Sequence, residues 1–224
     1  MFETQSHTLK PRGTTKSRAV PLLILIALVL VGCGPRRAIL TGGGQAITAE
    51  LPTNLKPVVE GAIEQTRYTL SYDPAYVKLS YPGGDVPQDR GVCSDVVVRA
   101  FRKGAVDLQK EVHEDMSRNF SAYPHVWGNK KPDSNIDHRR VPNLMTYFKR
   151  QGKSVAITKT AGDYLPGDVV AWDLGNGLLH IGIVSNLKLN QQDAFFIVHN
   201  IGAGARIEDV LFSWKIIGHY RYFQ

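Results

Sequence analysis

The chain has 224 residues, with 27 lysines and arginines against 20 aspartates and glutamates, and a formal net charge of +7 at neutral pH. That length suits one domain of ordinary size with a sizeable core behind a leader segment. The positive surplus is mild and forms no block, so it fits an anionic polymer or a membrane surface without demanding nucleic acid, and no internal repeat is present.

Residues 1–18 carry Lys10, Arg12, Lys16 and Arg18 against Glu3, and the apolar run Leu22–Val31 follows. A basic stretch followed by an apolar run too short to span a bilayer reads as an export signal over residues 1–32. The run ends in Leu30-Val31-Gly32-Cys33, which resembles the bacterial lipobox, so Cys33 is the expected lipidation site; a short uncleaved anchor is the alternative. Both export the remainder. Loss of residues 1–32 removes four basic side chains and one acidic one and lowers the formal charge to +4. With Cys33 acylated, Cys93 has no partner for a disulfide. The expected placement is a bacterial cell envelope, lipid-anchored and facing the periplasm, as a monomer.

Residues 33–52, with Gly42-Gly43-Gly44, Pro35 and Pro52, read as a flexible tether, leaving 53–224 as a single domain. Leu55, Val58, Val59, Ala62 and Ile63 repeat at helical spacing between Asn54 and Thr69. A Pro, Gly and Asp-rich loop then leads to Cys93. Val96, Val97, Ala100 and Phe101 mark a second helix stopped by Gly104, and Leu108, Val112, Met116 and Phe120 a third. Residues 121–140 show no periodicity and are long for a passive loop. A short helix over Asn143–Arg150 follows. Five β-branched or aromatic runs come next: residues 154–158, 168–172, 180–186, 194–200 and 216–223. Helices first and strands afterwards predict an α+β fold, with helices packed on a mostly antiparallel sheet of about five strands.

Cys93 stands at the predicted start of the second helix. The positive end of a helix dipole favours a thiolate, and a nearby imidazole would take the proton. The plainer alternative is a small apolar residue under a helix. His180 opens one strand, with Gly182 allowing close approach, and His199 ends the next. Adjacent antiparallel strands would set the two side by side, one as base and one as orienter of its tautomer; singly, each also fits a buried structural histidine.

The segments Tyr81-Pro-Gly-Gly, Gly91-Val92-Cys93-Ser94-Asp95, Pro166-Gly167-Asp168-Val169-Val170, His180-Ile181-Gly182-Ile183-Val184 and Val198-His199-Asn200 resemble, in this order, the NlpC-type papain-like cysteine peptidases of bacterial envelopes. More closely, residues 91–116, 135–144, 166–174 and 180–185 resemble the YijF-type family, to which no biochemical role is attached. The resemblance spans residues 54–224 and implies a papain-like NlpC-type fold, Cys93 as nucleophile, His180 as base and His199 as the third residue. It also implies Tyr81 near the oxyanion site, beside the Cys93 amide, with Asn200 as an alternative third residue. NlpC-type enzymes carry glycine two residues after the cysteine, where this chain has Asp95; that carboxylate opposes a thiolate unless paired, with Arg99 the expected partner.

His113, Glu114, Asp115, Asp133, Asp137, His138, Arg139 and Arg140 lack metal-ligand spacing, so no metal or cofactor is expected. The segment reads as a lid in which Arg139 and Arg140 bind a substrate carboxylate, or as a salt-bridge network of those arginines with Asp133 and Asp137. Trp127 and Trp172 are groove or core aromatics. The expected function is hydrolysis of an envelope amide, peptidoglycan stem peptide above all, through a Cys93 thioester. The alternatives are a non-catalytic cell-wall binder and an acyltransferase using the same thiol.

Overall fold

A computed structural model describes residues 45–223; the expected export signal and Cys33, the expected lipidation site, lie outside the described residues. Among the described residues the chain builds four helices, α1 (Lys56–Glu64), α2 (Cys93–Lys103), α3 (Leu108–Asn119) and α4 (Val141–Arg150), and nine strands. Five of these, β4 (Val169–Asp173), β5 (Leu179–Val184), β7 (Ile197–Asn200), β8 (Ala205–Glu208) and β9 (Lys215–Tyr220), form an antiparallel sheet in the order β8-β7-β5-β4-β9. The α+β class predicted from the helix-then-strand order is the one observed. Among the described residues no helix is long and apolar enough to cross a membrane.

Alternation along the strands gives the sheet two different faces. Val169, Ala171, Ile181, Ile183 and Val198 point toward the helices and share a core with Val58, Val97, Phe101, Leu144 and Phe148. Val170, Trp172, Val184 and Ile197 point the other way, onto Tyr164 and Leu211. α2 is buried along nearly its whole length, including Val96, Val97, Ala100 and Phe101, because α1 covers one side and the sheet the other. Gly61 permits that close approach: a Cβ there would stand 2.5 Å from the Lys103 Cγ.

Three expectations change. Residues 154–158 are not a strand: Ser154 bridges Tyr220 and the Val155 N–H donates to His219 O, but the next carbonyl, of Ala156, pairs with the His219 ring, which ends the ladder. The fifth strand is β8, whose short Ala-Arg-Ile-Glu alternation follows a glycine-rich loop and carries little apolar signal. The segment read as a tether contains β1 (Ala46–Thr48), which pairs antiparallel with β6 (Leu187–Leu189).

Candidate active site

Cys93 is the first residue of α2 and the free cysteine among the described residues. The helix start is built with care. Asp95 Oδ2 accepts the Val92 N–H at 2.7 Å, a cap on the orphan donors of the first turn. Gly91 makes this fit, since a Cβ there would stand 2.9 Å from that same oxygen. Asn200 donates Nδ2–H to the carbonyls of Gly91 (2.9 Å) and Ser71 (3.2 Å), and Ser94 Oγ donates to the Arg139 carbonyl at 2.7 Å. Asn200 therefore fixes the approach to Cys93 and takes no part in orienting a histidine.

Asp95 is paired, but with Arg139 rather than with Arg99. The guanidinium meets both carboxylate oxygens, Nε to Oδ1 at 2.9 Å and Nη2 to Oδ2 at 3.0 Å, and also donates to the carbonyls of Ala75 and Asp73. Arg99 instead serves Asp85, Thr69 and the carbonyls of Val86, Pro87 and Arg90. Asp95 and Arg139 are thus spent on each other: Arg139 borders the cleft, but its nearly buried guanidinium is already paired.

The thiol opens on a cleft of about 520 Å³ walled by Tyr72, Pro74, Val126, Trp127, Ile136, Val141 and Leu179. Trp172 is absent from those walls: it is fully buried on the far face of the sheet, its indole N–H donating to the Leu211 carbonyl at 2.9 Å. Arg140 does line the cleft, its guanidinium 4.1 Å from the Trp127 ring centre and 3.8 Å from Asp137 Oδ1. Tyr81 packs on His113, centroids 5.1 Å apart, away from the thiol. The tyrosine in the cleft is Tyr72, on β2 (Ser71–Tyr72), whose parallel pairing with β3 (Arg90–Gly91) sets it opposite Gly91. Burial, then the neighbouring Cys93 and Asp95, push its phenol up to about 12. Tyr72 escaped the sequence reading because two residues in a Pro and Asp-rich loop carry no periodicity.

His180 and His199 are brought together as their strand positions suggested. His180 Nε2 lies 2.8 Å from His199 Nδ1, and His199 Nε2 lies 2.8 Å from Glu208 Oε2. Gly182 makes the room, since a Cβ there would stand 3.1 Å from the His199 Cβ. The His180 ring packs against Trp172 and Trp214, and among the described residues its Nδ1 has no hydrogen-bond partner. Glu208 went unseen in the sequence because β8 did.

α2 packs on β5, with Cys93 and Ile181, one residue along from His180, in the same core cluster, and the backbone N–H groups of Ile181, Ser94 and Cys93 act on the sulfur. Those donors lower the thiol pKa, but burial outweighs them and, with Asp95, pushes it up to about 11. Burial, helped by His199, brings His180 down to about 3, and burial lowers His199 against the pull of Glu208. The resting site is therefore a neutral thiol and neutral imidazoles, and the thiolate expected from the helix dipole is not its ground state.

Residues 59–222 match the family described as "Domain of unknown function (DUF1287)". The chain belongs to the DUF1287 family. It is 60% identical over 171 residues to the uncharacterised protein YijF of Escherichia coli (strain K12), covering 76% of this chain and 82% of that protein. Among solved structures it is similar, at 14% identity and a TM-score of 0.38, to a lipoprotein-like member of the NLP/P60 family from Staphylococcus aureus subsp. aureus Mu50. That overlap covers 79% of this chain and 44% of the other. Within this DUF1287 chain, no group of three or more His, Cys, Asp or Glu among the described residues is placed to hold a metal.

Proposed function

We propose that this DUF1287 protein is a cysteine hydrolase of the bacterial cell envelope, tethered through a lipid on Cys33 and cleaving an amide bond of the peptidoglycan stem-peptide kind. The observation that carries the reading is a lone thiol at a helix start, open to a cleft and beside the strand that bears the His180–His199–Glu208 chain. A buried structural cysteine has no need of that company.

In the proposed reaction the Cys93 proton passes to His180 Nδ1 as the sulfur adds to the amide carbonyl. Because thiol and imidazole are neutral at rest, transfer and attack run together. The oxyanion is met by the Cys93 N–H and the Tyr72 hydroxyl. The tetrahedral adduct expels the amine, which takes its proton from His180, and leaves a thioester. Water then gives a proton to His180, adds to the thioester and releases the acid, restoring the thiol. Arg140, whose pairing with Asp137 is long, reads a carboxylate on the substrate from a mostly apolar cleft whose other arginine, Arg139, is held by Asp95.

The test is purified protein with muropeptides, products followed by mass spectrometry. Cys93→Ala is expected to lower turnover by about 10³-fold or more, and Arg140→Gln to raise KM with kcat little changed. Equal product from wild type and Cys93→Ala sinks the nucleophile assignment. A second reading rests on the raised thiol pKa: the cleft binds a wall fragment without cleaving it. Saturable muropeptide binding with no product from either protein would establish that role instead.

A further inference from the structure

The hydrolase reading uses the two histidines, but the far end of their chain lies elsewhere. The Glu208 side chain is 36% exposed. With His199, Arg206 and the loop 201–204 it lines a separate hollow of about 100 Å³. We infer that Glu208 is a positioning residue that fixes the tautomers of His199 and His180, and so leaves the lone pair of His180 on Nδ1.

The hydrogen-bond inventory compels this. A carboxylate only accepts, so the 2.8 Å contact requires the proton of His199 to sit on Nε2. A neutral His199 then has its lone pair on Nδ1, and the 2.8 Å contact there requires His180 Nε2 to donate. A neutral His180 with its proton on Nε2 carries a lone pair on Nδ1, the nitrogen without a partner. Without an acceptor at the outer end, both rings are free to reverse, and a reversed His180 presents N–H where a base is needed. Burial keeps both rings neutral, so the argument needs no imidazolium. Arg206, across the ladder from His199, also disfavours charge on that ring. Glu208 lies opposite Ile197, two residues before His199, which lets its side chain reach back along the face to the ring.

The use of this lock rests on the hydrolase reading; its existence does not. The experiment is ¹⁵N-histidine NMR of the full chain in detergent, in which coupling patterns report the protonated nitrogen of each ring, run beside muropeptide turnover. Wild type is expected to show His180 and His199 both protonated on Nε2. Glu208→Gln, which can accept or donate, gives mixed tautomers. Glu208→Lys, which only donates, reverses both rings and lowers kcat on the order of 10⁴-fold, the loss that a wrong tautomer brings in a serine triad. Glu208→Gln is the near-isosteric variant that keeps the test open if the lysine disturbs β8. A wild-type His180 protonated on Nδ1, or tautomers unmoved in both variants, overturns the assignment. Expected tautomers together with turnover that survives Cys93→Ala uphold the lock and overturn the hydrolase reading alone.

Discussion

A thiol at the start of a helix and under a sheet feels opposed influences. Three backbone N–H groups favour its anion, while the loss of water and the Asp95 carboxylate favour the neutral form, and burial wins. Iodoacetamide alkylation of Cys93 in the native protein is therefore expected to stay slow at pH 7 to 8 and to keep rising toward pH 11, with a rate–pH curve showing no plateau below pH 9. A plateau near pH 7 would mean the site stabilises a thiolate that the buried setting disfavours. Cys93, His180 and His199 were legible in the sequence because each sits at the end of a recognisable element. Tyr72 and Glu208 were not, since each joins the site only through a strand pairing, β2 with β3 or β7 with β8. Trp172 shows the reverse: its type suggested a groove wall, but strand parity turned it to the far face.

The start of α2 is held by a buried ion pair. Asp95 caps the helix and Arg139 neutralises it, with side chains only 3% and 2% exposed. Breaking one partner strands the other without water or counter-charge, which is far costlier than losing an exposed pair. Arg139→Leu is expected to cost about 3–5 kcal/mol in urea unfolding, against less than about 1 kcal/mol for removal of the exposed Lys103–Glu64 pair. A loss no larger than that surface pair's would show that Asp95 finds another partner. The sequence announced that Asp95 needed a cation, and proposed Arg99 because it lies one turn on. Long-range folding supplied Arg139 instead, since the short 3₁₀ turn Asp137–Arg139 packs on α2, while Arg99 is claimed by Asp85 and the carbonyls around it. The segment 121–140 is thus a wall of the cleft on one side and a clamp on α2 on the other.

Across the whole molecule, several ionisable groups are buried neutral, which ties stability to pH. His138 is 2% exposed, its Nδ1 lacks a partner, and burial with Arg102 and Arg139 nearby brings its pKa down to about 3 from an ordinary 6.5. Between those values the unfolded chain binds a proton that the folded chain refuses. Its share of stability is therefore complete above about pH 6.5 and is lost as pH falls toward 3, and His180 acts in the same sense. The melting temperature is expected to drop from pH 7 to pH 5, and to drop less steeply in His138→Leu. Equal slopes in both proteins would assign the loss to other groups. Burial raises the pKa of Asp115 and Asp168, but hydrogen bonds from Arg150, Tyr123 and Asn119 to the one and from Arg221, His219 and the Leu165 N–H to the other, with the charges of Arg150 and Arg221, together hold both below the ordinary carboxylate value. The two therefore add a separate loss only as pH falls below about 3.8.

The sequence by itself determined the α+β class, the helix that begins at Cys93, the strands that carry His180 and His199, and the lack of a disulfide partner in the domain. Periodicity, caps and residue type act over a few neighbours, and those features are decided at that range. Only the tertiary structure decided which face of the sheet each strand residue took, that Glu208 closes the histidine chain, that Tyr72 rather than Tyr81 lines the cleft, and that Arg139 is consumed by Asp95. Each of these depends on register between segments distant in the chain, and on how much water is left around a charge once they have packed.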